Sequence, residues 1–349
     1  MGTLGKRGSS TTVVGLLALL VLLAVLTLAA CGGSSTTAST SPSATPSATP
    51  TPRATALPAP TVAGTIAFGK IVKEVLEDDT WVFNSEIFTV RTDGTGLKQL
   101  TDDPLFEEAP SWSPDGRRIA YGTFAEDNLD TMDVWVMNAD GSGKKNLTKG
   151  ALSGGRPVWS PDGQQIAFGS EGRFYLMNAD GSGVKPLGGA VSSLDLNPDW
   201  AEYGGGLEWA SDGRILLCNA ADERGDVFAV DQDGSGFTQL TEGAVLGTFA
   251  MSPDGTKLAL HDQAKRLYVA PVQGDVAAQV TLLESSYIYL SAPWVRVSWS
   301  PDGTAMAFAT DSMLLALESF LFVINADGTG LSRVPGIPSR VFDAAWRPE

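Results

Sequence analysis

The sequence predicts an all-β fold, a six-bladed β-propeller of four-stranded antiparallel blades whose C-terminal strand joins the first blade and closes the ring. Three observations predict it: an internal repeat, the turn chemistry within each repeat, and the complementary ends of the repeat array.

The repeat is carried by two blocks. Trp112-Ser113-Pro114-Asp115-Gly116, followed by Ile119-Ala120-Tyr121, recurs as Trp159-Ser160-Pro161-Asp162-Gly163 with Ile166-Ala167-Phe168, and again as Trp299-Ser300-Pro301-Asp302-Gly303. Trp209-Ala210-Ser211-Asp212-Gly213 has lost the proline, and Met251-Ser252-Pro253-Asp254-Gly255 has lost the tryptophan. The second block, Asp-Gly-Ser/Thr-Gly after a short apolar run, begins at Asp93, Asp140, Asp180, Asp233 and Asp327, with a degenerate copy near Gln273-Gly274-Asp275. Together they define six units of roughly 40 to 50 residues, the period of a propeller blade.

Each unit reads strand, turn, strand, loop, strand, turn, strand. Pro-Asp-Gly between apolar runs is a tight-turn pattern, because proline presets φ and glycine accepts a positive φ. Asp-Gly-Ser-Gly makes the second hairpin. Runs such as Val134-Trp135-Val136-Met137 and Leu321-Phe322-Val323-Ile324 lack helical spacing and suit short buried strands. The first unit opens at Gly64-Thr65-Ile66-Ala67-Phe68 without a preceding Trp-Ser-Pro-Asp-Gly, and the chain finishes on Phe342-Asp343-Ala344-Ala345-Trp346. The last strand therefore supplies what the first blade lacks, pairing edges that would otherwise stay open.

These motifs resemble the WD-like repeats of TolB-type propellers, over Gly64 to Glu349. The resemblance implies a propeller and leaves function open. TolB is a periplasmic protein-interaction propeller, whereas similar blades occur in oligogalacturonate lyases and as the gating propeller of prolyl oligopeptidase-like enzymes. A lipobox and tether stand here in place of TolB's additional N-terminal domain.

Three segments result: a signal peptide over 1–30, a lipidated Cys31 with a Ser/Thr/Pro tether over 31–61, and the propeller over 62–349. Lys6 and Arg7 precede an uncharged apolar run, Val13 to Ala30, that ends Leu28-Ala29-Ala30-Cys31. This resembles the lipobox of bacterial lipoproteins and implies cleavage before Cys31 and diacylglycerol on its thiol. The alternative is an uncut anchor, since the run is just long enough to span a bilayer. Gly32 to Thr61 is almost wholly Ser, Thr, Ala, Pro and Gly, too poor in apolar area to offset its ordering entropy. Location is thus extracytoplasmic, at cell surface or periplasm, with the membrane reached only through the lipid and the domain monomeric.

Composition narrows the function. A formal charge of −16 repels phosphate backbones, so nucleic acid is excluded as the partner class. One histidine, His261, and no Gly-x-Ser-x-Gly elbow leave no Ser-His-Asp triad. Cys218 has no disulfide partner once Cys31 is lipidated and reads as a small core hydrophobe. Asp231-Gln232-Asp233-Gly234 resembles the opening of a calcium loop, but the remaining ligand positions are missing, and an Asx-stabilised turn explains every copy. No cofactor or metal is implied.

Strand alternation puts all the Pro-Asp-Gly and Asp-Gly-Ser-Gly turns on one face and the long connections on the other. Those connections are Lys70 to Ser85, Thr101 to Ala109, Phe124 to Met132, Gly188 to Gly206, Glu284 to Trp294 and Thr310 to Ser319. They carry the acids Asp78, Asp79, Glu107, Glu108, Glu126 and Asp127, and the aromatics Trp81, Phe106, Phe124, Trp200, Tyr203, Tyr287, Tyr289 and Trp294. Exposed aromatics beside carboxylates are binding anchors for cationic or hydroxyl-rich partners; the competing reading has these rings plugging the ends of the core. The reading is a non-catalytic binding propeller for protein or peptide first and glycan second. The alternative is a lyase or glycoside hydrolase working through a carboxylate pair in an aromatic-lined pocket.

Overall fold

A computed structural model describes residues 60–77, 80–125, 128–189, 191, 206–219, 226–241, 249–261, 267–272, 280–283, 296–309 and 319–349. The strands run in order β1 (Thr65–Glu77), β2 (Thr80–Arg91), β3 (Lys98–Gln99), β4 (Phe106–Trp112), β5 (Arg118–Ala125), β6 (Asn128–Asn138), β7 (Lys145–Asn146), β8 (Gly154–Trp159), β9 (Gln165–Ser170), β10 (Arg173–Asn178) and β11 (Lys185–Pro186). There follow β12 (Leu207–Trp209), β13 (Ile215–Asn219), β14 (Asp226–Val230), β15 (Thr238–Gln239), β16 (Phe249–Met251), β17 (Lys257–His261), β18 (Leu267–Pro271), β19 (Val280–Leu283), β20 (Val297–Trp299), β21 (Ala305–Ala309), β22 (Leu321–Asn325), β23 (Ser332–Arg333) and β24 (Val341–Trp346).

Among the described residues all strand pairings but one are antiparallel. Four sheets are four-stranded: β8–β11, β12–β15, β16–β19 and β20–β23. The fifth is eight-stranded and consists of a β24-β1-β2-β3 set and a β4-β5-β6-β7 set, joined by one parallel pairing of Ser85 with Phe106. The C-terminal strand lies beside the first, with Ile66 opposite Trp346 and Lys70 opposite Val341.

The turn residues act as their chemistry dictates. Ser113 Oγ donates to Asp115 Oδ1 at 2.6 Å, that oxygen also accepts the Arg117 N–H, and Gly116 N–H closes onto the Ser113 carbonyl at 2.8 Å. The same bonds recur at Ser160/Asp162, Ser252/Asp254 and Ser300/Asp302. In the copy where Ala210 replaces the serine, Asp212 is held by the Arg214 N–H and Nε–H instead. In the second block, Asp140 Oδ1 accepts the Ser142 N–H and hydroxyl at 2.9 and 2.6 Å around Gly141, whose φ of 88° suits glycine.

The core lies between sheets. Trp112, Ile119, Tyr121 and Met137 of one sheet set pack on Ala67 and Ile87 of another, and Trp159, Ile166 and Phe168 pack on Ala120, Val134 and Val136. The same arrangement recurs along the series, and a further cluster joins Ala305, Ala307, Leu321 and Val323 to Ile66, Phe88, Val90 and Trp346. Cys218 is buried within one of these clusters, and burial pushes its thiol up to about 12, which makes it an inert core side chain.

Three connections expected as loops are largely strand. Residues 70–77 pair with 80–86 in the β1–β2 hairpin, with Glu77 opposite Thr80, and 124–125 pair with 128–132 in the β5–β6 hairpin. Thr101 to Ala109 runs into β4 at Phe106. Acids and aromatics mix there without a clean apolar/polar alternation, so the sequence read them as loops. The connections around 192–205, 284–295 and 310–318 lie outside the described residues, as does the degenerate turn at Gln273.

Candidate binding site at the hairpin ends of the leading strands

Each sheet set begins with a strand that abuts its counterparts: β24, β4, β8 and β12 are successive neighbours, as are β16, β20 and β24. Each leads into a Ser-Pro-Asp-Gly-type turn or, for β24, ends at the equivalent Trp346. The opposite ends of these strands form the site.

A bulge recurs there. Three residues before the terminal Trp, the backbone is left-handed at Ala109, Arg156, Gly206 and Asp343, with φ of 51°, 51°, 81° and 51°. The register slips at the same place, between Glu108 and Ser111, between Gly155 and Val158, and opposite Ala67–Gly69. Holding a residue with a Cβ in this region costs about 1–3 kcal/mol, and a bulge re-aims its side chain. Here it brings Arg156 and Asp343 together. Arg156 Nε stands 3.6 Å from Glu108 Oε1 and Nη1 stands 3.6 Å from Asp343 Oδ1. Asp343 Oδ2 accepts the Ala109 N–H at 3.0 Å. Arg296, at the corresponding position before β20, donates to the Pro110 carbonyl at 3.3 Å. Glu208 on β12 accepts the Met251 N–H at 2.8 Å.

The layer is therefore mixed in charge, with Glu108 and Asp343 buried and Arg156, Glu208 and Arg296 half-buried. Burial pushes Glu208 up to about 8, against the Met251 N–H that favours its anion. Burial likewise raises Glu108 to about 7, with Arg156 opposing. Burial lowers Arg296, whereas Asp343 and Glu108 outweigh burial at Arg156 and raise it. Glu108 Oε1 and Arg156 Nε lack hydrogen bonds although they face each other, so their pairing is Coulombic.

Above this layer lie three half-buried rings. Phe106 meets Phe124 edge-on at 5.7 Å between centroids and stacks on Phe342 at 5.9 Å. Gly69 on β1 leaves room for the Phe342 ring, which a Cβ would strike.

Of the six acids expected on the exposed face, the two that the structure describes, Glu107 and Glu108, are interior. Glu107 is 0% and Glu108 7% exposed. Glu108 belongs to the layer just described, and Glu107 points to the other side of β4. Its Oε2 accepts the Thr101 hydroxyl at 2.8 Å and its own carbonyl accepts Ser85 Oγ–H at 2.7 Å. Burial, then Glu86, then Asp103 push Glu107 up to about 10, and burial raises Glu86 as well, so the pair holds a proton well above the usual carboxylate range. Strand alternation separates these adjacent glutamates, and it makes both structural neighbours of the core rather than loop anchors.

Among the other expected anchors, Phe106 and Phe124 come together at this end, and Trp81 sits on β2 opposite Leu76 in the hairpin. Asp78, Asp79, Glu126, Asp127, Trp200, Tyr203, Tyr287, Tyr289 and Trp294 lie outside the described residues. The sequence reading missed Arg156, Glu208, Arg296, Asp343 and Phe342. Aligning the repeats on their Trp would have exposed most of them, since Ala109, Arg156, Gly206, Arg296 and Asp343 share one register.

The TolB beta propeller domain family matches residues 92–349. Among solved structures, TolB from Acinetobacter baumannii superposes with a TM-score of 0.63 at 18% identity, covering 82% of this chain and 67% of that one. A putative TolB from Agrobacterium tumefaciens gives 0.54 at 15%, covering 82% and 100%. A gluconolactonase from Xanthomonas campestris gives 0.51 at 15%, covering 81% and 89%. Dipeptidyl-peptidase 5 from Porphyromonas gingivalis is 56% identical over 36 residues, 10% of this chain, and the chain spans only 5% of that peptidase. At such identities the structural likenesses speak to fold alone.

Proposed function

Because this chain belongs to the TolB β-propeller domain family, we propose that it is a six-bladed ring, tethered outside the cytoplasm through a lipid on Cys31, that captures a protein or peptide at the hairpin ends of its leading strands. Glycan is the second ligand class, and no reaction is required. The closed ring is supported by contacts that repeat around the series. A Cβ on Gly141 would strike the Leu100 carbonyl of the preceding sheet set, and one on Gly94 would strike the Pro335 carbonyl of the last sheet in the same way.

One observation carries the binding reading: the Phe106–Phe124–Phe342 group is half-buried over a layer of buried, mixed charge. Aromatic anchors around a desolvated polar centre concentrate binding energy. The test is a pull-down with the mature chain, comparing wild type with Phe106→Ala and Phe124→Ala. Loss of the captured partner at unchanged circular dichroism supports the reading; unchanged capture, or unfolding, refutes it.

A carboxylate-based hydrolase or lyase is the second reading, and one observation favours it. Glu108 and Asp343 share the Arg156 guanidinium and so lie within about 10 Å of each other, the spacing of glycosidase pairs. Both are nevertheless almost fully buried, and Arg156 occupies the space between them. Depolymerisation of a polysaccharide panel that is abolished in Glu108→Gln would establish it; no turnover above background would dismiss it.

A further inference from the structure

We infer that the hairpin-end site receives the C-terminal carboxylate of a peptide, and that Arg296 is the side chain that holds it. The inference rests on the capture reading above and names the group captured. Arg296 is the cation that the charge layer leaves without an anion of its own. Its one hydrogen bond among the described residues runs to the Pro110 carbonyl at 3.3 Å, and it forms no ion pair among them. The acids that act on it through space, Asp343, Glu208 and Glu108, are engaged elsewhere. Asp343 gives one oxygen to Arg156 and the other to the Ala109 N–H, Glu108 faces Arg156, and Glu208 takes the Met251 N–H. A guanidinium carries N–H donors in a planar fork that matches a carboxylate, and here most of that fork is unused.

Its position makes the fork usable. β24 touches both β20 and β4, so a side chain that starts just before β20 and bonds β4 passes in front of β24, across the hairpin end of the leading strands. The side chain is half-buried, which leaves it within reach of a ligand while strengthening any charge-assisted bond it makes. Burial lowers Arg296, because nearby acids offset its desolvation only in part. Burial also raises Glu108 to about 7 and Glu208 to about 8, so near neutral pH these two acids carry less than two full charges and the layer has room for another anion.

The rings indicate which carboxylate enters. Phe106, Phe124 and Phe342 form an apolar wall with no polar tip, which suits an aliphatic or aromatic side chain better than a hydroxyl-rich sugar. Along β4, Phe106 lies four residues before Pro110, at most about 13 Å of strand, a length that the last three or four residues of an extended peptide match. A chain end inserted from the hairpin end then meets Arg296 with its terminal carboxylate and the phenylalanines with an apolar side chain two or three residues upstream.

The test passes two synthetic libraries of the same short random peptides, one ending in a free carboxylate and the other in a carboxamide, over the immobilised full chain in detergent. Retained peptides are identified by mass, and the best binder is titrated by fluorescence anisotropy in both forms. The carboxylate form should bind at least about tenfold more tightly than the carboxamide, as expected for loss of a charge-assisted pair. Arg296→Gln should bind both forms alike, and Arg296→Lys should restore part of the preference, with melting temperatures unchanged. Equal affinity of the two forms for wild type overturns the inference, and so does a preference that persists in Arg296→Gln. Retention of peptides from neither library, or of a uronic-acid oligosaccharide in their place, overturns it as well. Should Arg296→Gln not fold, the comparison of the two forms on wild type decides alone. If both libraries are retained equally and Phe106→Ala releases both, the capture reading stands and the carboxylate assignment falls.

Discussion

Glu107→Gln isolates one proton that the fold retains. In the folded chain the Glu107 carboxyl lies between Thr101, Glu86 and Asp103, which with burial raise it from its ordinary value of 4.5 to about 10. A raised carboxyl value means that the folded state binds more protons than the unfolded state throughout that window. The stability this group contributes is complete below about pH 4.5 and is lost as pH rises towards 10. One retained proton gives a slope of at most about 1.4 kcal/mol per pH unit, or about 4 kcal/mol between pH 6 and pH 9. Glu86 is raised by the same burial and shares the site, so the measured loss belongs to the group as a whole. Glutamine keeps an oxygen for the Thr101 hydroxyl and supplies N–H donors to the neighbouring carboxylates, with no proton to lose. Urea unfolding of both proteins across this range should show wild-type stability falling with pH, the variant falling less steeply by up to one proton's worth, and the curves meeting near pH 5. Equal slopes would refute the reasoning, because Glu107 would then be ionised in the fold. Glu108 and Glu208, raised to about 7 and about 8, add a loss of the same sign below about pH 8 that is common to both proteins and cancels in their difference.

The acid limb runs the other way. The turn aspartates are lowered, Asp254 to about 2 chiefly by the Ser252 hydroxyl, so their stabilisation is present at neutral pH and lost as pH falls through their folded values; Asp254→Asn should flatten that limb in circular dichroism melts. Trp346→Ala removes a buried ring between the first and last sheets and should cost about 3–5 kcal/mol in urea unfolding. Deleting residues 340–349 removes β24 altogether and should abolish the cooperative transition; a truncated chain melting within about two degrees of wild type would contradict the closed ring. Cys31→Ser should move the protein from the detergent phase to the aqueous phase and remove the lipid mass from the mature chain, whereas unchanged partitioning would dismiss the anchor.

The fold was legible because its information is local and repeated. Proline, aspartate and glycine fix the turns by their own φ preferences and hydrogen bonds, and five copies of each block fix the period. Even the copy lacking serine kept its turn, since Arg214 took over part of the bonding to Asp212. Pairing of β24 with β1 was legible for the same reason: a missing block at one end matched a surplus strand at the other. Misreading began where strands exceed the repeat. The β1–β2 and β5–β6 hairpins run past the apolar core, and there acids and aromatics mix without alternation that composition could recognise.

The charge layer was illegible for a different reason. Arg156 and Asp343 are 187 residues apart in sequence, yet they meet at 3.6 Å because each occupies the same position of a leading strand. A single-residue bulge with positive φ turns them there, and neither residue type announces such a conformation as glycine does at 206. Glu107 and Glu108 show the limit most sharply: one acid faces a carboxyl cluster, its neighbour an arginine, and only the direction of the pleat separates them. Gathering five charged groups, two buried and three half-buried, so close together is costly unless each is compensated. Arg156 takes two carboxylates, Glu208 takes a backbone N–H, and Arg296 a backbone carbonyl. The partners of all five groups come from other strands, so the layer forms only when those leading strands are in place. It follows that the phenylalanine group above it is a property of the assembled propeller, and no isolated sheet would carry the site.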